Sequence, residues 1–155
     1  LAVKEARTMF KHILIPTDGS EVAAKAINAG IALAKEMGAK VTGLYAEEPR
    51  PLHLHSGGYL VEKDLLEEFD RRSREYAERC VGEIAAAAKA AGVPFEPLVT
   101  KSPRPYAAII EAAHERSCDA IFMASHGHKG LAGLVLGSVT NQVLTHSSIP
   151  VLVFR

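Results

Sequence analysis

SHGHKGLAGLVLGSV, Ser125 to Val139, is the stretch that decides how this chain folds. It follows an unbroken apolar run, Ala120–Ala124, whose length and composition suit a buried strand. Four glycines, Gly127, Gly130, Gly133 and Gly137, fall within eleven residues, and a helix pattern opens at Gly137-Ser138. A strand, a glycine-rich loop and a helix start, in that order, turn backbone N–H groups toward one point where a phosphate fits.

Working outward, strands and helices alternate. Phe10–Thr17 is apolar, rich in β-branched residues and bounded by Asp18-Gly19, so it reads as the first strand. Ser20 caps a helix that runs to about Met37, where Gly38 takes the left-handed position after the last turn. Val41–Ala46 is the second strand and Pro49–Gly58 a loop. A charged amphipathic helix from about Leu60 to Ala91 closes at Gly92. Phe95–Thr100 is the third strand. Pro103 or Arg104 opens a third helix, with Ile109, Ile110 and Ala113 facing inward. Asp119–Ser125 is the fourth strand, Ser138–His146 the fourth helix and Pro150–Phe154 the fifth strand. This alternation implies an α/β fold in three layers, a parallel sheet covered by helices on both faces.

Composition narrows the function classes. A chain of 155 residues suits one domain, read as residues 9–155, with Leu1–Thr8 as an upstream tail or expression remnant. Its 18 basic and 18 acidic side chains give no basic excess for nucleic acid. No apolar run approaches the roughly 20 residues that span a bilayer, and no secretory signal is visible. Cys80 and Cys118 lack CxxC spacing and suit buried small apolar positions, which points to a reducing cytoplasm. On the long helix, Glu67, Glu68, Asp70, Arg71, Arg72, Arg74 and Glu75 read as a solvated face with i,i+4 pairs, or as a surface that docks a partner.

Ligands of open α/β sheets bind at the carboxyl ends of the strands. Two segments have suitable chemistry there, Pro16–Ser20 after the first strand and Ser125–Gly137 after the fourth. If the two strands are neighbours, Asp18 faces the glycine loop, where its carboxylate accepts from ribose hydroxyls or adenine. Gly127 and Gly137 let the backbone come close to phosphates, and His126, His128 and Lys129 add positive charge. Blander readings stay open: Asp18 forms an Asx-turn or caps the first helix, and Leu131–Leu136 fills the core. Walker GxxxxGK[ST], GxGxxG after the first strand and GxSxG are all absent. His53-Leu54-His55 lacks a third ligand at suitable spacing, so no metal site is assigned.

HILIPTDGSE (12–21) and ASHGHKGLAGLVLGSVTNQVLTHSSIPVLVFR (124–155) resemble the start and the C-terminal third of the universal stress protein (UspA-like) family. The nucleotide-binding branch of that family carries glycine, two residues, glycine, nine residues, glycine, then serine or threonine. Gly127 matches the second glycine, and nine residues separate it from Gly137-Ser138. Ala124 holds the first glycine position; it closes a strand, where φ should be negative and alanine is tolerated.

The resemblance implies a five-stranded parallel sheet in the order 3-2-1-4-5, Rossmann-like and akin to the adenine nucleotide alpha hydrolases. It implies ATP, ADP or AMP as ligand; triphosphate binding often uses Mg²⁺, which the sequence itself does not indicate. Pro16, Thr17 and Asp18 would lie near adenine and ribose, with Val41 as a backbone contact to adenine. Met123, Ala124, Ser125, His126, Gly127, Gly137, Ser138 and Val139 would line ribose and phosphates. It also implies a homodimer through the last strand, Val151, Leu152, Val153 and Phe154. The expected role is regulatory or stress-related, with no catalytic residue assigned. A slow ATPase or phosphotransferase and a dimeric module that binds no nucleotide are the alternatives.

Overall fold

The computed structural model describes residues 9–49, 63–128 and 136–155. The expected tail Leu1–Thr8, His53-Leu54-His55, most of the Pro49–Gly58 loop, the first residues of the long helix and Lys129, Gly130 and Gly133 lie outside them. Five parallel strands form one sheet in the order β3-β2-β1-β4-β5: β1 (His12–Thr17), β2 (Lys40–Glu47), β3 (Phe95–Lys101), β4 (Ala120–Ala124) and β5 (Val151–Phe154). Helices α1 (Glu21–Met37), α2 (Lys63–Ala91), α3 (Pro105–Glu115) and α4 (Ser138–His146) fill the connections. The sheet has one core on each face. Ile13, Ile15, Val41 and Phe122 meet Ile27 and Ile31 of α1 and Ile84 of α2. Leu14, Leu44, Ile121 and Met123 meet Ile109 of α3 and Val143 of α4. Alternate strand residues thus serve opposite layers, which is why the strands read as apolar runs without polar alternation.

Several element ends differ from the expectation, each for a local reason. β1 starts at His12, because the Lys11 and His12 N–H groups donate to the Asp119 carboxylate at 2.8 and 3.0 Å. Asp119, used in this way, precedes β4 without being its first residue. α3 opens at Pro105, later than Pro103 or Arg104. Pro105 disfavours helical backbone in the residue before it, and Arg104 sits at φ −127, ψ 88 as the N-cap. The Ser102 hydroxyl, accepting from Arg104 N at 3.1 Å, holds that turn. β2 is longer than expected, since its pairing with β3 continues to Glu47 opposite Lys101.

Cys80 and Cys118 are both buried and unbridged, and burial pushes the Cys118 thiol up to about 11. The α2 charges are solvated pairs: Arg71 meets Glu68 and Glu75 at 2.8 and 2.6 Å, and Arg72 meets Glu68 at 2.6 Å. Among the described residues, no helix is long and apolar enough to cross a membrane.

Candidate functional site

The strand order puts β1 beside β4 while their following helices go to opposite faces, so the chain parts above their carboxyl ends. A cleft of about 790 Å³ opens there. Nucleotide-sized ligands occupy pockets in the range of roughly 300–1,000 Å³.

One wall is the turn after β1. Asp18 accepts Ser20 N–H at 2.9 Å through Oδ1, which is the Asx-turn. Its other oxygen reaches across the switch point and accepts His128 N–H at 2.8 Å through Oδ2. The local and the long-range readings of Asp18 therefore both hold, one per oxygen. Burial pushes the Asp18 carboxyl up, but hydrogen bonds from Ser20 and from His128 N–H outweigh it and hold the group below the usual carboxylate value. It is anionic at neutral pH and keeps lone pairs for further donors. Ser20 caps α1 by accepting Ala23 N–H at 3.1 Å, which satisfies one of the donors at the start of that helix.

The opposite wall is the loop after β4. Ser125 N donates to Phe154 O, tying the loop's start to β5, and Ser125 O accepts Gly137 N–H, which fastens the loop's two ends together, both at 2.7 Å. Both loop glycines sit at close approaches within the protein. A Cβ on Gly127 would lie 2.0 Å from Asp18 Oδ2, and one on Gly137 would lie 3.1 Å from His126 Cα. Ala124 ends β4 at 8% exposure, and Ser117 is the one non-glycine residue with positive φ among those described. The methyl group is accommodated without backbone strain. Gly137 is the N-cap of α4, and no side chain caps the helix. Its first N–H groups carry the positive end of the helix dipole at the cleft's edge.

Most of the expected residues converge on this cleft: Pro16, Thr17, Asp18, Met123, Ala124, His126, Gly127, His128, Gly137, Ser138 and Val139 all line it. Two do not. Ser125 lies beneath the loop, 1% exposed, with its hydroxyl 3.0 Å from His126 Nδ1. Val41 is a correction. It is fully buried near the amino end of β2, paired with Ile13 and Phe95, and its N–H donates to Pro94 O at 2.8 Å. That is the far end of the strand from the cleft, and Tyr45, Ala46, Glu47 and Glu48 stand at the cleft instead.

The strand-end rule, applied to β2, would have found those four. Ser73 and Tyr76 carry no such signal: they come from α2, whose path over the cleft is a tertiary fact. Tyr76 donates to Asp18 O at 3.0 Å, stacks edge-on to Tyr45 at 5.7 Å and lies under the Arg79 guanidinium at 4.9 Å. His128 Nε2 donates to the same Asp18 carbonyl at 2.9 Å. Burial, with Cys80 and Tyr76 beside it, pushes the Tyr45 phenol up to about 12, so it remains a neutral wall.

The universal stress protein family model matches residues 9–155. A universal stress protein of Thermus aquaticus is 35% identical over 147 residues, covering 95% of this chain and 100% of its own length. The solved structure of Methanocaldococcus jannaschii MJ0577 superposes with a TM-score of 0.77 at 28% identity, covering 94% of this chain and 95% of its own. Two more distant neighbours show the same fold with adenine nucleotides in place. One was solved in complex with cAMP (TM-score 0.67, 23% identity, 94% and 97% coverage). The other, from Archaeoglobus fulgidus, was solved with dAMP (TM-score 0.64, 17% identity, 94% and 98% coverage). The motif, the sheet order and these relatives agree: this chain belongs to the universal stress protein family.

Proposed function

We propose that this protein binds an adenine nucleotide, ATP, ADP or AMP, in the cleft above β1 and β4 and acts as a regulatory binding protein. The observation that carries the reading is the convergence of three features: the anionic Asp18, the Gly127–His128 backbone and the uncapped start of α4. Phosphates belong at the α4 end, where N–H groups and the dipole favour negative charge. The sugar belongs beside Asp18, whose acceptor-only carboxylate suits ribose hydroxyls. The base then extends over the ends of β1 and β2, between the two core layers. The cAMP and dAMP complexes of fold relatives support this choice. Among the described carboxylates of the cleft only Asp18 adjoins the glycine loop, while Glu47 and Glu48 stand at the β2 end. A Mg²⁺ accompanying a triphosphate would draw its remaining ligands from phosphate and water.

Binding to the folded state alone raises its stability by linkage, by about 2.7 kcal/mol at a hundredfold excess over Kd. For a chain of this size that is a melting-temperature rise of about 5–10 °C. AMP or ATP at millimolar concentration will produce it, and inorganic phosphate will move the midpoint far less. A flat response to both nucleotides overturns the reading.

The same reading pairs β5 with a second copy. β5 is a sheet edge whose Val151, Leu152, Val153 and Phe154 all remain partly exposed in the single chain, an arrangement that proteins usually cover.

A further inference from the structure

Among the described residues, Glu47 is the one acidic side chain that is buried, at 8% exposure. It ends β2 and lines the cleft on the side away from the glycine loop. A buried carboxylate needs hydrogen bonds to offset its lost hydration. Glu47 accepts the Ser73 hydroxyl at 2.5 Å through Oε1, while Lys101 Nζ stands 3.7 Å from Oε2 on a side chain that is 65% exposed. A carboxylate offers about four acceptor positions. These partners leave acceptor capacity at the cleft, and Ser73, having donated its proton to Glu47, presents lone pairs as well. This end of the cleft accepts hydrogen bonds and donates none from these two groups.

We propose that Glu47, keyed by Ser73, is a specificity-determining residue that reads an N–H donor on the nucleobase, the exocyclic amino group at purine position 6. The inference rests on the adenine-nucleotide reading above and adds how the base is chosen. With phosphates at α4 and sugar at Asp18, the base points toward β2. An amino group there meets two acceptors. A carbonyl in its place brings a third acceptor against a buried anion, leaving polar groups unpaired on both sides. Sites built on a specific hydrogen bond reject the unmatched analogue strongly.

The test is calorimetric titration of the full chain with AMP, IMP and purine riboside 5′-monophosphate, repeated on Glu47→Gln and Ser73→Ala. The wild-type protein will favour AMP over IMP by about tenfold or more, with the 6-unsubstituted purine between them. Glu47→Gln keeps the shape and supplies an amide donor, so the AMP-to-IMP ratio will fall to within about threefold. Ser73→Ala keeps the carboxylate but removes one acceptor and the hydrogen bond that positions Glu47, so the AMP-to-IMP ratio will fall partway, to a value between those of wild type and Glu47→Gln. A Glu47→Gln protein that keeps the full preference overturns the proposal. So does a wild-type protein that binds the 6-unsubstituted purine as tightly as AMP, a result independent of how any variant folds. If the wild-type protein binds none of the three, the nucleotide reading itself fails, and this inference with it.

Discussion

Gly127→Val will weaken adenine-nucleotide binding by about a hundredfold or more, equivalent to about 2.7 kcal/mol. Even the first carbon of a side chain at this position would lie 2.0 Å from Asp18 Oδ2 and 3.0 Å from its Cγ. No such contact survives, so Asp18 must swing away and release His128 N–H, which it holds at 2.8 Å. The variant loses the carboxylate's placement and the loop's anchor in one step. The fold should persist, because Gly127 lies outside both apolar cores and the displaced group is the end of a side chain at the cleft. Calorimetry with AMP reads the binding loss, and far-UV circular dichroism checks the fold. A Gly127→Val protein that binds AMP within threefold of wild type would show that the Asp18–loop contact has no part in the nucleotide site. Gly137 makes a less clean probe, since a side chain there would press on the backbone of His126.

Val153→Lys will convert the proposed dimer to monomer. Val153 pairs with Met123 in the β4–β5 ladder, yet it belongs to neither apolar cluster, so charging it spares the core. In a two-fold dimer built on β5, each Val153 lies close to the partner's copy of the same strand. Two lysines then face each other across an apolar contact. Uncompensated charge in such a place costs about 2–5 kcal/mol, which raises the dimer dissociation constant by roughly thirtyfold to several thousandfold. Sedimentation velocity over a range of concentrations measures this directly. A sedimentation profile identical to that of a dimeric wild type would place the interface elsewhere.

The order of elements was legible because each strand is a short apolar run and each helix carries a start or stop signal. Ser20 and Gly38 bracket α1 in the structure as their residue types suggest, with Gly38 at φ 63. The loop after β4 announced itself by glycine spacing, and Asp18 by its position after β1. Less legible were the effects of tertiary contact. Nothing local says that the Asp119 side chain takes the N–H groups before β1, or that Tyr76 of α2 returns to the Asp18 carbonyl 58 residues earlier. Val41 shows the limit of carrying a family contact to a single residue. Strand β2 is eight residues long, and choosing the wrong end of it moves the contact by the length of the strand, to the opposite end of the sheet from the cleft. Glu47 illustrates the converse. Nothing in the sequence singles it out, because its burial comes from tertiary contacts with Ser73 of α2 and Lys101 of β3.

In the proposed binding mode one anion-binding mouth, formed by the turn after β1, the loop after β4 and the start of α4, holds the nucleotide. Backbone amide shifts of isotope-labelled protein, followed as AMP is added, test it most directly. The account predicts that the largest shifts fall on Asp18, Gly127, His128, Ser138 and Val139, with smaller ones at Ala46 and Glu47. Shifts concentrated at the opposite end of the sheet, around Val41 and Cys118, or a spectrum unmoved by millimolar AMP, would contradict it.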